Sequence, residues 1–257
     1  MNGEDLNYWS LQGEFNLHEI VNGFPGAGFW LGDCSSIEYS ATPETEKFKE
    51  NHSGTRGTGY TQYNGTEAQL TITLHNANTK QLTLLLGGDT QAQDPAAVVD
   101  ELLIATPVVG QMLLLGGLDV SAVVIKDSTP TTPKTLTAGV NYTINPKTGT
   151  LKIIDLTAGG PFVGPLTKSY TPGAVTYVKM LTNTQRRWWA RFNGLNTAQS
   201  LNDVWVGDWY QFETLPSSLQ LINESRGEAV LTGTIYSDTT KPADGAWGQF
   251  GRMAIID

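Results

Sequence analysis

Residues 49–65 read KENHSGTRGTGYTQYNG, a glycine-rich run of the kind that can cradle phosphate. A Walker loop needs Lys followed by Ser or Thr to hold phosphate and metal, and a dinucleotide loop follows an apolar parallel strand. GTRGTG at 54–59 has neither. His18, His52 and His75 stand far apart, none with a second His or Cys at ligand spacing, so no metal and no cofactor are expected. Cys34, the one cysteine, lacks a Cys-x-x-Cys partner and a recognisable base; it reads as a buried structural thiol and excludes an intrachain disulfide. Asp100, Glu101 and scattered glutamates have the chemistry of a glycosidase acid and base, but solvated strand faces account for them better. No residue is assigned a catalytic role, and the chain is read as a non-enzyme.

Aromatic residues leave two readings open. RRWWARF and DVWVGDWYQF put Trp188 and Trp189 on opposite strand faces, and Trp205 and Trp209 on one face. A flat platform for sugar would use Trp188, Trp205 or Trp209. Aromatics on both faces better suit a sheet covered on both sides, in a core or a subunit interface.

The elements that carry these residues read mainly as strands. The chain has 257 residues with 39% hydrophobic and 16% charged positions, and its Thr, Gly, Val, Ile, Trp and Tyr content is that of a strand-rich protein. A formal net charge of −9 repels nucleic acid phosphates and anionic lipid. No secretory leader is read in MNGEDLNYWS, and ELLIATPVVGQMLLLGGLDV is interrupted before the roughly 20 apolar residues of a membrane helix. No membrane anchoring is expected.

Period-two alternation sets Ser36, Glu38 and Ser40 against Ile37, Tyr39 and Ala41, and Glu67, Gln69, Thr71 and Thr73 against Ala68, Leu70, Ile72 and Leu74. After Asn76, Leu82, Leu85 and Leu86 fall at helical spacing, predicting a helix of about three turns stopped by two glycines. VNYTINPKTGTLKII reads as a hairpin turned by Pro and Gly. Strands are also expected at ELLIATP, AVVIKD, VTYVKML, RRWWARFNG, DVWVGDWYQF, SSLQLIN and EAVLTGTIYSD, with a long surface loop over 157–174. The expectation is one all-β domain over 1–257: an antiparallel sandwich or barrel with one short helix, an N-terminal arm at 1–27, a long polar loop at 47–64 and a C-terminal arm at 240–257.

The segment ETEKFKENHSGTRGTGYTQYNGTEAQLTITLHNAN, two strands flanking a polar loop with a helix at once behind, resembles the major tail tube proteins of long-tailed, siphovirus-like bacteriophages. VNYTINPKTGTLKII and RRWWARFNGLNTAQSLNDVWVGDWYQFETLPSSLQLINES followed by EAVLTGTIYSDTT continue the resemblance. Residues 108–180 contribute least to it and are where an insertion would lie. The resemblance implies the tail-tube fold: a β-sandwich subunit closing into homo-hexameric rings that stack into a tube. It also implies assembly in the host cytoplasm, residence in the virion tail, and contacts with a tape measure protein, a tail terminator and distal tail proteins. Double-stranded DNA would pass through without specific binding.

On that reading the lumen is lined by Ser36, Glu38 and Ser40, by Glu67, Gln69, Thr71 and Thr73, and by Glu228, Thr232, Thr234 and Asp238. These residues include no Lys or Arg to trade for DNA counterions. Arg56, Tyr60 and Tyr63 on the long loop would make the contact between rings. The alternative reading is a carbohydrate-binding β-sandwich of a phage fibre or receptor-binding protein.

Overall fold

Alternation of wet and dry side chains becomes the dominant architecture of the computed structural model, which describes residues 8–198, 203–222, 224 and 226–256. Among these residues the strands in chain order are β1 (Leu11–Val21), β2 (Phe24–Trp30), β3 (Cys34–Lys49) and β4 (Thr58–Leu74), followed by the helix α1 (Thr79–Leu85). Next come β5 (Thr90–Ala92), β6 (Val98–Ile104), β7 (Met112–Leu114), β8 (Ser121–Lys126), β9 (Tyr142–Asn145), β10 (Thr150–Ile153), β11 (Leu166–Thr171) and β12 (Thr176–Val178). β13 (Arg187–Asn196), β14 (Val204–Leu215), β15 (Ala229–Ile235) and β16 (Gly251–Ile256) complete the order. Every strand pair of assigned register is antiparallel, so the fold is all-β, with one short α-helix among the described residues.

Where the sequence suggests one domain, the chain divides into two compact units, one of residues up to Asp89 together with those from Val178 onward, the other Thr90–Tyr177. The first unit is a sheet in the order β2-β1-β13-β14-β15-β4-β3. β14 serves two neighbours along one edge: Val204 to Trp209 pair with β16, and Phe212 to Leu215 pair with β15. Alternate positions of β1, β4, β13, β14 and β15 send Phe15, Leu17, Leu70, Ile72, Leu74, Trp188, Trp209, Phe212, Leu231 and Ile235 into one core. Each such side chain contributes about 1.5–3 kcal/mol when taken fully out of water.

The segment expected as an N-terminal arm is, from Leu11 on, a hairpin in this sheet: β1 pairs with β13 through eight consecutive residue pairs. The expected C-terminal arm likewise ends in β16. SSLQLIN contains no strand among its described residues; Leu219 bridges to Ala229 and packs against the core.

α1 has seven residues, shorter than the three turns expected. Asn78 caps it, accepting from the amides of Lys80 and Gln81 while Gln81 returns a bond to the Asn78 amide. Leu84 and Leu85 are the leucines it buries; Leu82 and Leu86 are only half-buried.

The second unit has its own core of Leu115, Val120, Ile125, Leu136, Tyr142, Leu151, Ile153, Leu166 and Tyr170. It holds the three-stranded sheets β7-β10-β9 and β6-β11-β8. The predicted hairpin is β9–β10, with Gly149 at φ 62° in its turn, packed so close that a Cβ would fall 2.1 Å from the Gly117 carbonyl oxygen. The loop expected over 157–174 contains β11, the central strand of its sheet, with Leu166, Lys168 and Tyr170 turned inward.

The ends of this unit meet, because β5 pairs with β12 and the Gln93 amide donates to the Val175 carbonyl at 2.8 Å. Removing 90–177 and joining Asp89 to Val178 through Asn-Gly is therefore expected to leave the first unit folded. Circular dichroism and a single cooperative thermal transition check this; a chain lacking strand signal contradicts it.

Candidate functional site

Three strands bring the sequence-derived polar residues onto one surface. Register places Ser36, Glu38 and Ser40 of β3 opposite Thr73, Thr71 and Gln69 of β4. Val230, Thr232 and Thr234 of β15 stand opposite the same Thr73, Thr71 and Gln69. Since strand side chains alternate, these residues share the face that the core does not use. Glu67 joins them, accepting from Gln69 Nε2 at 2.9 Å, and Ser36 donates to the Thr73 hydroxyl at 3.1 Å.

Two expected members differ. Glu228 is exposed but precedes β15, 3.7 Å from His75 Nδ1. Asp238 does not belong to the face: it lies beyond the end of β15, is 6% exposed, and pairs with Lys241 at 3.2 Å. Burial would raise its carboxyl pKa, yet hydrogen bonds from Thr240 and the Lys241 charge bring it below the usual range.

Sequence reading also missed two residues that register adds. Thr234 stands opposite Glu213 of β14, which stands opposite Arg187 of β13, and Arg187 Nε donates to Glu213 Oε2 at 3.0 Å. A row Ser40, Gln69, Thr234, Glu213, Arg187 thus crosses five strands. The guanidinium at its end is already neutralised by its neighbour.

Beyond Glu67 the β3–β4 hairpin leaves the sheet, since β15 pairs with β4 only from Ala68 to Leu74. The expected loop at 47–64 is mostly strand: pairing continues out to Lys49 and Thr58, leaving 50–57 as the tip. From Pro43 to Lys49, opposite Thr66 to Thr58, the ribbon runs about 23 Å at 3.3 Å per residue. Between Glu38 and Asn64 every residue is exposed except Glu50, so the ribbon has no dry face in the isolated chain. Phe48 stands opposite Tyr60, their rings stacked with centroids 6.1 Å apart, and Tyr63 stands opposite Thr45 on the other face. Three carboxylates (Glu44, Glu46, Glu50) and three cations (Lys47, Lys49, Arg56) leave its formal charge at zero.

The tip is organised by one carboxylate. Glu50 accepts from the amides of His52 and Ser53 at 3.0 and 2.9 Å and from the Ser53 hydroxyl, while its own amide donates to the Gly57 carbonyl. Gly54 and Arg56 complete the turn at positive φ. The Ser53 hydroxyl, then the amides, pull the Glu50 pKa down from 4.5 to about 2. A lowered folded-state pKa means that the ordering is fully present above pH 4.5 and lost as pH falls toward 2. The Ser53 amide resonance is expected to titrate with a midpoint near 2 and to lose that titration in Glu50→Gln; a midpoint near 4.5 would contradict the geometry.

β3 is also a terminal strand of the sheet, so along its sixteen residues the outer backbone edge has no strand partner among the described residues. Pro43 sits on it, as suits an edge.

Of the seven tryptophans, Trp188, Trp189 and Trp209 are buried, Trp205 and Trp247 half-buried, and Trp9 and Trp30 exposed. Trp188 and Trp209 are 6% and 7% exposed in the core, so neither offers a face to sugar, and Trp205 is half-buried against Trp9. Trp189 occupies the opposite face, covered by the segment that leads into β16. Its Nε1 donates to Asp208 Oδ1 at 3.0 Å, and Asp208 also receives Arg191 and Arg252 at 3.2 and 3.1 Å. Lys241 Nζ donates to the Gly23 carbonyl at 3.0 Å, ringed by Phe24, Trp189, Tyr210 and Trp247 with centroids 5.0–5.7 Å away. Tandem Trp188-Trp189 thus reflects a sheet covered on both sides within one chain.

Cys34 is half-buried at the start of β3; burial first, then Asp33, push its thiol up to about 11, which leaves it a poor nucleophile. The histidines lie on β1, on the ribbon tip and beyond the end of β4, and among the described residues no three His, Cys, Asp or Glu gather as a metal site would need. No helix among them is long and apolar enough to cross a membrane.

A family model described as "Protein of unknown function UCP028589" matches residues 8–254. No curated protein matches the chain.

Proposed function

We propose, for a chain that belongs to this family of proteins of unknown function, that it is the repeating structural subunit of a tube, built as in the phage tail tubes it resembles. The observation that carries this reading is the ribbon. A two-stranded hairpin with no dry face is at best marginally stable in water, yet this one holds Phe48, Tyr60 and Tyr63 out on both sides. A neighbouring copy would cover those rings, with Arg56 at the tip, and the ribbon's zero formal charge adds no repulsion of its own to a contact between chains of net charge −9.

The remaining features agree with closure into rings. The free edge of β3 is a template for another strand, and a closed ring gives every such edge a partner. The surface of β3, β4 and β15 would then face the bore. Its hydroxyls, amides and carboxylates, with Arg187 tied to Glu213, offer DNA no free cation, so a duplex slides instead of binding.

Sedimentation velocity over a hundredfold range of concentration tests the reading. The expected result is a shift from monomer to a closed oligomer and then to larger multiples of it. A monomer at every concentration, with the ribbon intact, refutes it.

A further inference from the structure

On the side of β1, β2 and β13 away from the core lies an open cleft of about 530 Å³, within the roughly 300–1,000 Å³ range of small-ligand sites. Register gives its floor: Asn16 stands opposite both Trp30 and Arg191, and Asn193 lies two residues further along β13. Beside them His18 is fixed by its Nδ1–H, which donates to the Gly26 carbonyl at 3.1 Å, leaving Nε2 as the ring's free nitrogen. Its ring lies over Gly28, where a Cβ would fall 2.3 Å from Nδ1. Trp30, 56% exposed, is the large ring at the rim.

Two properties of this cleft stand out. None of its lining residues is acidic, in a chain with 25 carboxylates and 16 Lys and Arg. And the guanidinium in it is only partly neutralised: Arg191 Nε donates to Asn193 Oδ1 at 3.0 Å and Nη1 to Asp208 Oδ1 at 3.2 Å, but Asp208 is shared with Arg252, so the group of two cations and one carboxylate keeps one positive charge. Glu14, the register partner of Asn193, stands outside the lining.

We infer that this cleft is a binding site for a carboxylate-bearing sugar. Arg191, held by the Asn193 oxygen, receives the carboxylate; the Asn16 amide, the Nδ2 of Asn193 as donor and the Nε2 of His18 bond hydroxyls, and Trp30 covers the apolar face of the pyranose. The site is distinct from any platform made by Trp188, Trp205 or Trp209. It shares no residue with the ribbon or the polar face, so it stands or falls apart from tube assembly.

Saturation-transfer NMR on the full chain tests it, with sodium glucuronate, glucose and sodium acetate as separate probes. Glucuronate is expected to bind saturably, and glucose and acetate each about tenfold more weakly or worse, since each lacks half of the recognition. Trp30→Ala and Asn16→Asp, the second placing a carboxylate beside Arg191, are each expected to weaken glucuronate about tenfold with the thermal midpoint unchanged. Acetate binding as tightly as glucuronate would reduce the cleft to an anion site, and glucose binding as tightly would remove the role of Arg191; either result overturns the inference. So does the absence of saturable glucuronate binding, or binding untouched by both substitutions.

Discussion

A chain in which residues 45–64 are replaced by Asn-Gly, closing the hairpin just beyond the Glu44–Gly65 pair, is expected to fold normally and to fail to elongate. Folding survives because nothing removed touches the core: the deleted residues are exposed, Glu50 apart, and the pairs from Cys34–Leu74 to Glu44–Gly65 remain. Elongation fails because the deletion takes away Arg56, Tyr60, Tyr63 and Phe48 together. Interface rings and guanidinium groups of this kind each cost about 2 kcal/mol or more when truncated at a hot spot, and losing several exceeds what a ring-to-ring contact can spare. Electron microscopy reads the outcome directly. Isolated rings or monomers agree; tubes of ordinary length from the shortened chain would show that the ribbon is not the connector.

The second large effect is expected at Asp208. Its side chain is 1% exposed and receives the Trp189 indole and two guanidinium groups, so Asp208→Ala removes three hydrogen bonds and leaves Arg191 and Arg252 facing each other. Breaking a fully buried ion pair costs about 3–5 kcal/mol. The guanidinium groups here are more than a third exposed, and screening lowers the expectation to about 2–3 kcal/mol. For a folded unit of this size that is a fall in thermal midpoint of about 5–10 °C. Arg252→Ala should cost much less, since Asp208 keeps Arg191. If Asp208→Ala melted within about one degree of the parent, the cluster would not be what holds the last strand to β14.

How much of this was legible in the sequence depended on where water sits. SSIEYSAT and TEAQLTITL have one wet and one dry face, and their alternation gave both strands and the shared face before any register was known. The ribbon has no dry face, so KENHSGTRGTGYTQYNG carries no period and reads as loop, although it is paired almost to the tip. β2 contains Pro25, Gly26 and Gly28, tolerated because it is an edge strand paired on one side only. β1 buries only Phe15 and Leu17 among polar neighbours, too short a pattern to stand out. β11 hides between Pro165 and Pro172 and turns Lys168 inward, where the ammonium donates to the Leu115 carbonyl at 2.6 Å.

Asp238 was misplaced by continuing the alternation of β15 past Ile235, where the strand ends. The cleft of β1, β2 and β13 was invisible because its residues come from one unread hairpin and a strand more than 150 positions away. The expected region of insertion, 108–180, overlaps the separate unit Thr90–Tyr177, whose start was obscured by strand signals as regular as those of the main sheet.

Cryo-electron microscopy of the assembled protein tests the central claim most directly. The account predicts closed rings in which Glu38, Gln69, Thr71 and Thr234 line an open bore while each ribbon lies against the next ring. A map in which those four residues face outward, or in which the ribbons extend free into solvent, would contradict it.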